Sequence, residues 1–125
     1  MAELRVEGDD LVLHLTTMQK VIGFHHDIRV PLSAVQSVTP VEKPWLALRG
    51  RRMAGTALRG VAAMGTWTHS DRHYDFCVVR GRQAAVQVDL NAGRFDRFLV
   101  CRPLGIDVAA EADELAAAAG IAPSR

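Results

Sequence analysis

Short segments in which apolar and polar residues alternate recur along this chain of 125 residues. Such alternation turns one face of a strand to the core and the other to solvent, so these segments predict β-strands. Residues 4–7 and 11–16 alternate in this way on either side of the turn-forming Gly8-Asp9-Asp10, which predicts a β-hairpin. About seven or eight short strands, as in small sandwiches and barrels, are expected in all.

The end of the chain has helical periodicity instead. The segment DVAAEADELAAAAG begins at Asp107, a favourable N-cap residue, and ends at Gly120, a common C-terminal cap. A short inserted helix over residues 18–24, capped by Thr16 or Thr17, is also predicted. The predicted fold is therefore mainly β, a small barrel or sandwich with a C-terminal helix that caps an open end.

Length and composition set broad limits. A chain of 125 residues fits a single domain, 1–125, and its net charge of +1 gives no bulk attraction to nucleic acid. Cys77 and Cys101 lie in predicted strands without metal-binding spacing, so free buried thiols are expected. The sequence shows no apolar N-terminal leader and no apolar run of membrane-spanning length, which favours a cytoplasmic protein.

One stretch stands out for its charge. Residues 43–70 contain four arginines, a lysine and no acidic residue. Gly50, Gly55 and Gly60 punctuate the stretch, which favours a loop over a long regular element. Guanidinium groups bind phosphate or carboxylate through paired hydrogen bonds, and tryptophans line grooves. The candidate contact residues are Arg49, Arg51, Arg52, Arg59, Trp45 and Trp67.

Other interpretations of this basic stretch remain open. Its arginines are alternatively expected to pair with acidic residues of the terminal helix, namely Asp107, Glu111, Asp113 and Glu114. The stretch is otherwise expected to contact another subunit, or more weakly an anionic membrane surface. Single-stranded nucleic acid is an unfavourable partner because only 6% of the residues are aromatic.

A second candidate site lies in the segment H-S-D-R-H. His69 and His73, with Asp71 and Asp75 interleaved, would offer two imidazoles and a carboxylate to a metal ion if a turn made the histidines cross-strand neighbours. His25 is a candidate further ligand. The alternative is a set of polar turn residues in solvent, and no cofactor is predicted.

Motifs of common enzyme classes are missing. The chain has no G-x-S-x-G, no phosphate-binding P-loop and no G-x-G-x-x-G. Cys77 lies within a predicted strand, without a helix N-terminus to activate its thiol. We therefore expect a protein that is not an enzyme.

Four segments carry a family resemblance: DIRVPLSAVQSV, GTALRGVAAMGTW, the strand around Phe76, and RFLVCRP before the terminal helix. With this order of elements the chain resembles small actinobacterial pleckstrin-homology-like proteins of uncharacterised function. The resemblance implies a pleckstrin-homology-like fold but no functional residues. The phosphoinositide binding of eukaryotic members is not implied, because the first hairpin loop here is the acidic Gly8-Asp9-Asp10.

The resulting functional prediction is a non-catalytic binding or scaffolding module. Protein or peptide recognition is the leading version, with a strand edge beside the basic stretch accepting an added strand. A homodimer is an alternative assembly. The alternative function is small-molecule or metal binding through His69 and His73, or through the basic segment 49–59.

Overall fold

The computed structural model describes residues 2–17, 19–20, 26–58, 60–70 and 73–121. Three antiparallel strands form the smaller of two sheets: β1 (Glu3–Glu7), β2 (Asp10–His14) and β3 (Ile28–Pro31). β1 and β2 pair across Gly8-Asp9, which confirms the predicted hairpin.

The larger sheet has six strands: β4 (Val35–Val41), β5 (Arg51–Leu58), β6 (Ala62–Ser70), β7 (His73–Arg80), β8 (Ala85–Leu90) and β9 (Phe95–Cys101). They lie in the order β4-β8-β9-β7-β6-β5, so β4 and β5 form its two edges. β7 and β9 run parallel, whereas the other neighbouring pairs are antiparallel. The chain is thus mainly β, with two sheets that are not closed into a barrel.

The prediction of a loop over the basic stretch is wrong, because residues 51–58 form strand β5. The glycines permit this strand rather than interrupt it. Gly55 and Gly65 face each other across β5 and β6, with φ of 109° and 132°. A Cβ at Gly65 would lie 2.2 Å from the carbonyl oxygen of Ala54. Only glycine lets the two backbones approach this closely.

Both faces of the larger sheet carry buried side chains. Its inner face packs against the smaller sheet and the terminal helix around Phe76, Phe98 and other buried side chains. Its outer face carries a second group of buried side chains: Ala63, Trp67, Cys77, Val79, Ala85, Leu99 and Cys101. The segment from Val41 to Leu48, which includes a 3₁₀ turn at Pro44–Ala47, packs over this outer apolar cluster.

The terminal helix α1 (Val108–Ala118) has the predicted ends. The Asp107 carboxylate accepts a hydrogen bond of 3.1 Å from the N–H of Ala110. Gly120 has a φ of 73° just beyond the helix, where the N–H of Ile121 donates to the carbonyl of Ala116. The N–H of Gly120 also donates to the carbonyl of Ala117, and the two hydrogen bonds together form a Schellman motif.

The predicted inserted helix is described in part. Thr17, Gln19 and Lys20 are helical, while residue 18 and residues 21–25 lie outside the described residues. Thr16 is the cap: its hydroxyl oxygen accepts from the N–H of Gln19, whose side-chain oxygen accepts from the N–H of Thr16. This reciprocal pair is a capping box.

Among the described residues, no helix combines the length and the apolar composition needed to cross a bilayer.

Candidate functional site

Strand β5 is an open edge of the larger sheet. Within the described part of the chain it pairs with β6 alone, and no strand lies along its outer side. The opposite edge strand, β4, packs against α1. An uncovered edge leaves backbone donors and acceptors available to a further strand.

The two central arginines of the basic stretch lie at one end of this edge. Arg51 pairs in register with Thr68 and Arg52 with Trp67, so the two arginines lie on opposite faces of the sheet. Both are exposed, and neither has an ion-pair partner among the described residues. A register shift at Met53 separates them from the rest of the strand.

The other end of the edge is apolar. Ala57 and Leu58 close the strand, and Leu58 is 62% exposed. Beside them, on the outer face of the sheet, runs an open groove of about 770 Å³. The groove is lined by Trp45, Leu46, Leu48, Gly50, Ala57, Gly60, Ala63 and Trp67.

The two tryptophans therefore line one groove. Trp67 is buried in the outer apolar cluster, and the Trp45 indole N–H donates to the carbonyl of Gly81 at 2.7 Å. Leu46 is 81% exposed at the rim. The indoles are fixed in place, whereas the leucine is available for a new contact.

Arg49 has a different role from its neighbours. Its Nε and Nη2 donate to the two carboxylate oxygens of Asp75 at 2.8 and 2.6 Å. Asp75 is fully buried, and its hydrogen bond with Arg49 raises the pKa of the guanidinium. The expected pairing with the terminal helix is wrong for Arg49, and Glu111 of that helix accepts instead from Arg102. Arg59 lies outside the described residues.

The histidines form a second site, beside Arg49. Pairing of β6 with β7 brings His69 close to His73, with ring centroids 5.5 Å apart, although the residue in register with His73 is Ser70. The carboxylate that joins them is Asp96 of β9. One ligand atom from each of these three side chains lies within 4.8 Å of the others.

Of the two interleaved aspartates, the structure describes Asp75 and pairs it with Arg49. Asp75 is held by Arg49, although it lies 3.7 Å from His69 Nε2, and Asp71 lies outside the described residues. The candidate further ligand His25 is also outside them. The sequence does not indicate Asp96 as a candidate ligand, because no local pattern predicts that β9 pairs in parallel with β7.

A cleft of about 340 Å³ opens over this second site. Besides the histidines and Asp96, Arg97 and Asp89 line the cleft, and Arg97 Nε donates to Asp89 at 2.7 Å. Ser37 also donates to Asp89, at 3.0 Å. The cleft is polar and its charged groups are largely paired.

The two thiols take no part in either site. Cys77 and Cys101 are free and buried, as predicted. Burial, and then the neighbouring Asp75, raise the pKa of Cys77 far above its ordinary value. A thiol in this state is not a nucleophile at neutral pH.

No protein-family model, curated protein or solved structure matches this chain.

Proposed function

We propose that the protein is a non-catalytic binding module that recognises an extended peptide by adding it as a strand to the edge of β5. The observation that carries this proposal is the open outer side of β5, an eight-residue strand with no partner there among the described residues. Strand addition draws affinity from main-chain hydrogen bonds and specificity from alternate side chains.

The chemistry along β5 defines the peptide. Opposite Arg51 and Arg52, a bound strand would place two consecutive acidic residues, one on each face of the sheet. Opposite Ala57 and Leu58 it would place two apolar residues, one of which faces the groove. The preferred peptide is acidic at one end and apolar at the other, with a spacer that matches residues 53–56.

A second copy of the chain fits this edge less well. Antiparallel self-pairing would set Arg51 and Arg52 against the apolar end of the partner strand, and parallel self-pairing would set arginine against arginine. Neither arrangement supplies the acidic groups that unpaired guanidiniums favour. Charge complementarity therefore favours an acidic peptide.

The proposal also includes the type of module. We propose a pleckstrin-homology-like domain, on the four segments that carry the resemblance and on two sheets followed by a terminal helix. A non-catalytic role is supported by the inert thiols and by the largely paired charges of the polar cleft.

Selection of peptides tests the proposal. We expect a random dodecapeptide library, panned on the immobilised protein, to yield sequences with an acidic pair and an apolar pair at opposite ends. The double variant Arg51→Glu/Arg52→Glu should bind the selected peptides at least about tenfold more weakly, because like charges then face each other. Fluorescence anisotropy with the labelled peptide measures the affinity.

The matched control is Arg5→Glu/Arg29→Glu, which makes the same change in net charge on exposed arginines of the smaller sheet. This variant should retain the affinity. Selection that enriches no acidic peptide, or equal losses in both variants, would contradict the proposal. A dimer that Arg51→Glu/Arg52→Glu dissociates would assign the edge to a second copy instead, and binding to anionic vesicles alone would assign it to a membrane.

A further inference from the structure

We propose that His69, His73 and Asp96 bind a divalent first-row transition-metal ion, of the zinc, nickel and cobalt class. The site is independent of peptide binding at β5. It draws on three strands, because His69 lies in β6, His73 begins β7 and Asp96 lies in β9. Sheet pairing therefore fixes all three backbones before any ion arrives.

The separations among the three side chains fit ligands around one ion. His69 Nε2 lies 3.6 Å from the Asp96 carboxylate, too far for a hydrogen bond. Donors bound at about 2.1 Å in a tetrahedral site are roughly 3.4 Å apart. His73 Nδ1 lies 2.7 Å from the same carboxylate, a hydrogen bond that an incoming ion would replace.

The lone nitrogen of His69 is the strongest sign of an absent partner. His69 Nε2 is buried and has no hydrogen-bond partner within the described part of the chain. A buried polar atom without a partner is destabilising, and a bound ion would supply the missing partner. Its neighbours at 3.6 and 3.7 Å are both carboxylate oxygens, which favour a cation between them.

The charges around the site also favour a cation. Three carboxylates, Asp75, Asp89 and Asp96, lie near two guanidiniums, Arg49 and Arg97. Arg49 is committed to Asp75 and Arg97 to Asp89. Among the described residues, only imidazoles lie within ion-pair distance of Asp96. Its charge is therefore available to a metal ion.

The donor set selects the class of ion. Two imidazole nitrogens and one carboxylate oxygen suit zinc, nickel, cobalt and ferrous ions, whereas magnesium and calcium prefer oxygen alone. Three protein ligands leave further positions for water. The cleft above the site, lined also by Gln36 and Ser37, gives the ion a path from solvent.

Metal titration tests the site. We expect chelator-treated protein to bind about one Zn²⁺ per chain in calorimetry, with a rise in melting temperature, and to show no response to Mg²⁺. Co²⁺ should give visible absorption bands of a site with nitrogen and oxygen ligands. His69→Gln, His73→Gln and Asp96→Asn should each weaken Zn²⁺ binding at least about tenfold.

His26→Gln is the matched control, because it removes an exposed histidine outside the cluster and should leave Zn²⁺ binding unchanged. Circular dichroism of each variant establishes that it is folded, and the less invasive Asp96→Asn keeps the test open if a histidine variant is not. Absence of Zn²⁺ binding, or binding that the three ligand variants leave intact, would overturn the proposal. Leu58→Glu, at the end of β5 away from His69, should bind Zn²⁺ as the wild type does, which separates this site from the peptide edge.

Discussion

Replacement of Arg49 by alanine should lower the free energy of unfolding by about 2–3 kcal/mol. The arginine holds the fully buried carboxylate of Asp75 through two hydrogen bonds, so its removal leaves a buried charge without a partner. Loss of one member of a buried pair costs about 3–5 kcal/mol. Because the Arg49 side chain is 35% exposed, solvent screens the pair, and the expected loss of free energy of unfolding falls to about 2–3 kcal/mol.

Urea denaturation measures this change, with Arg51→Ala and Arg52→Ala as controls on neighbouring exposed arginines. Both controls should leave the free energy of unfolding nearly unchanged. Combining Arg49→Ala with Asp75→Asn should cost less than the sum of the two single changes, because the double variant carries no unpaired charge. Equal stability of Arg49→Ala and Arg51→Ala would show that the Arg49–Asp75 pair is not structural.

Replacement of Gly65 by alanine should lower the free energy of unfolding by about 2–4 kcal/mol, through strain and overpacking. The new methyl group would meet the carbonyl oxygen of Ala54 at 2.2 Å and the Cα of Gly55 at 2.8 Å. Its φ of 132° is also unfavourable for any residue with a Cβ. The expected consequence is separation of β5 from β6.

Gly60→Ala separates the two causes. Gly60 also has a positive φ, 80°, but a Cβ there would meet nothing within 4 Å. This control should lose about 1 kcal/mol, from backbone strain alone. A Gly65→Ala variant as stable as Gly60→Ala would contradict the close approach of β5 and β6 on which the edge depends.

Much of the fold followed from local patterns. The β1–β2 hairpin and the caps at Asp107 and Gly120 depend on residues near in sequence, and these predictions are confirmed. The sequence does not predict β5, because glycines usually interrupt strands, whereas Gly55 is needed here to face Gly65 on the neighbouring strand. That requirement is tertiary and does not appear in the sequence of either strand alone.

The sites show the same division. The turn predicted from the sequence at residues 70–72 implies that His69 and His73 lie close together. The parallel pairing of β7 with β9 brings Asp96 to them from a distant part of the chain. Asp75 did carry a signal. It shares a strand face with Cys77 and Val79, and a carboxylate on an otherwise apolar face indicates a buried ion pair. The identity of its partner, Arg49, required the structure.

Amide hydrogen exchange along β5 tests most directly whether a peptide is added to this edge. The comparison is between free protein and protein saturated with a selected acidic peptide. If the peptide adds as a strand, the exchange of outward-facing amides within residues 51–58 should slow by at least about tenfold, while amides of the smaller sheet keep their rates. Unchanged exchange along β5 in the saturated complex, or protection confined to another surface, would contradict strand addition at this edge.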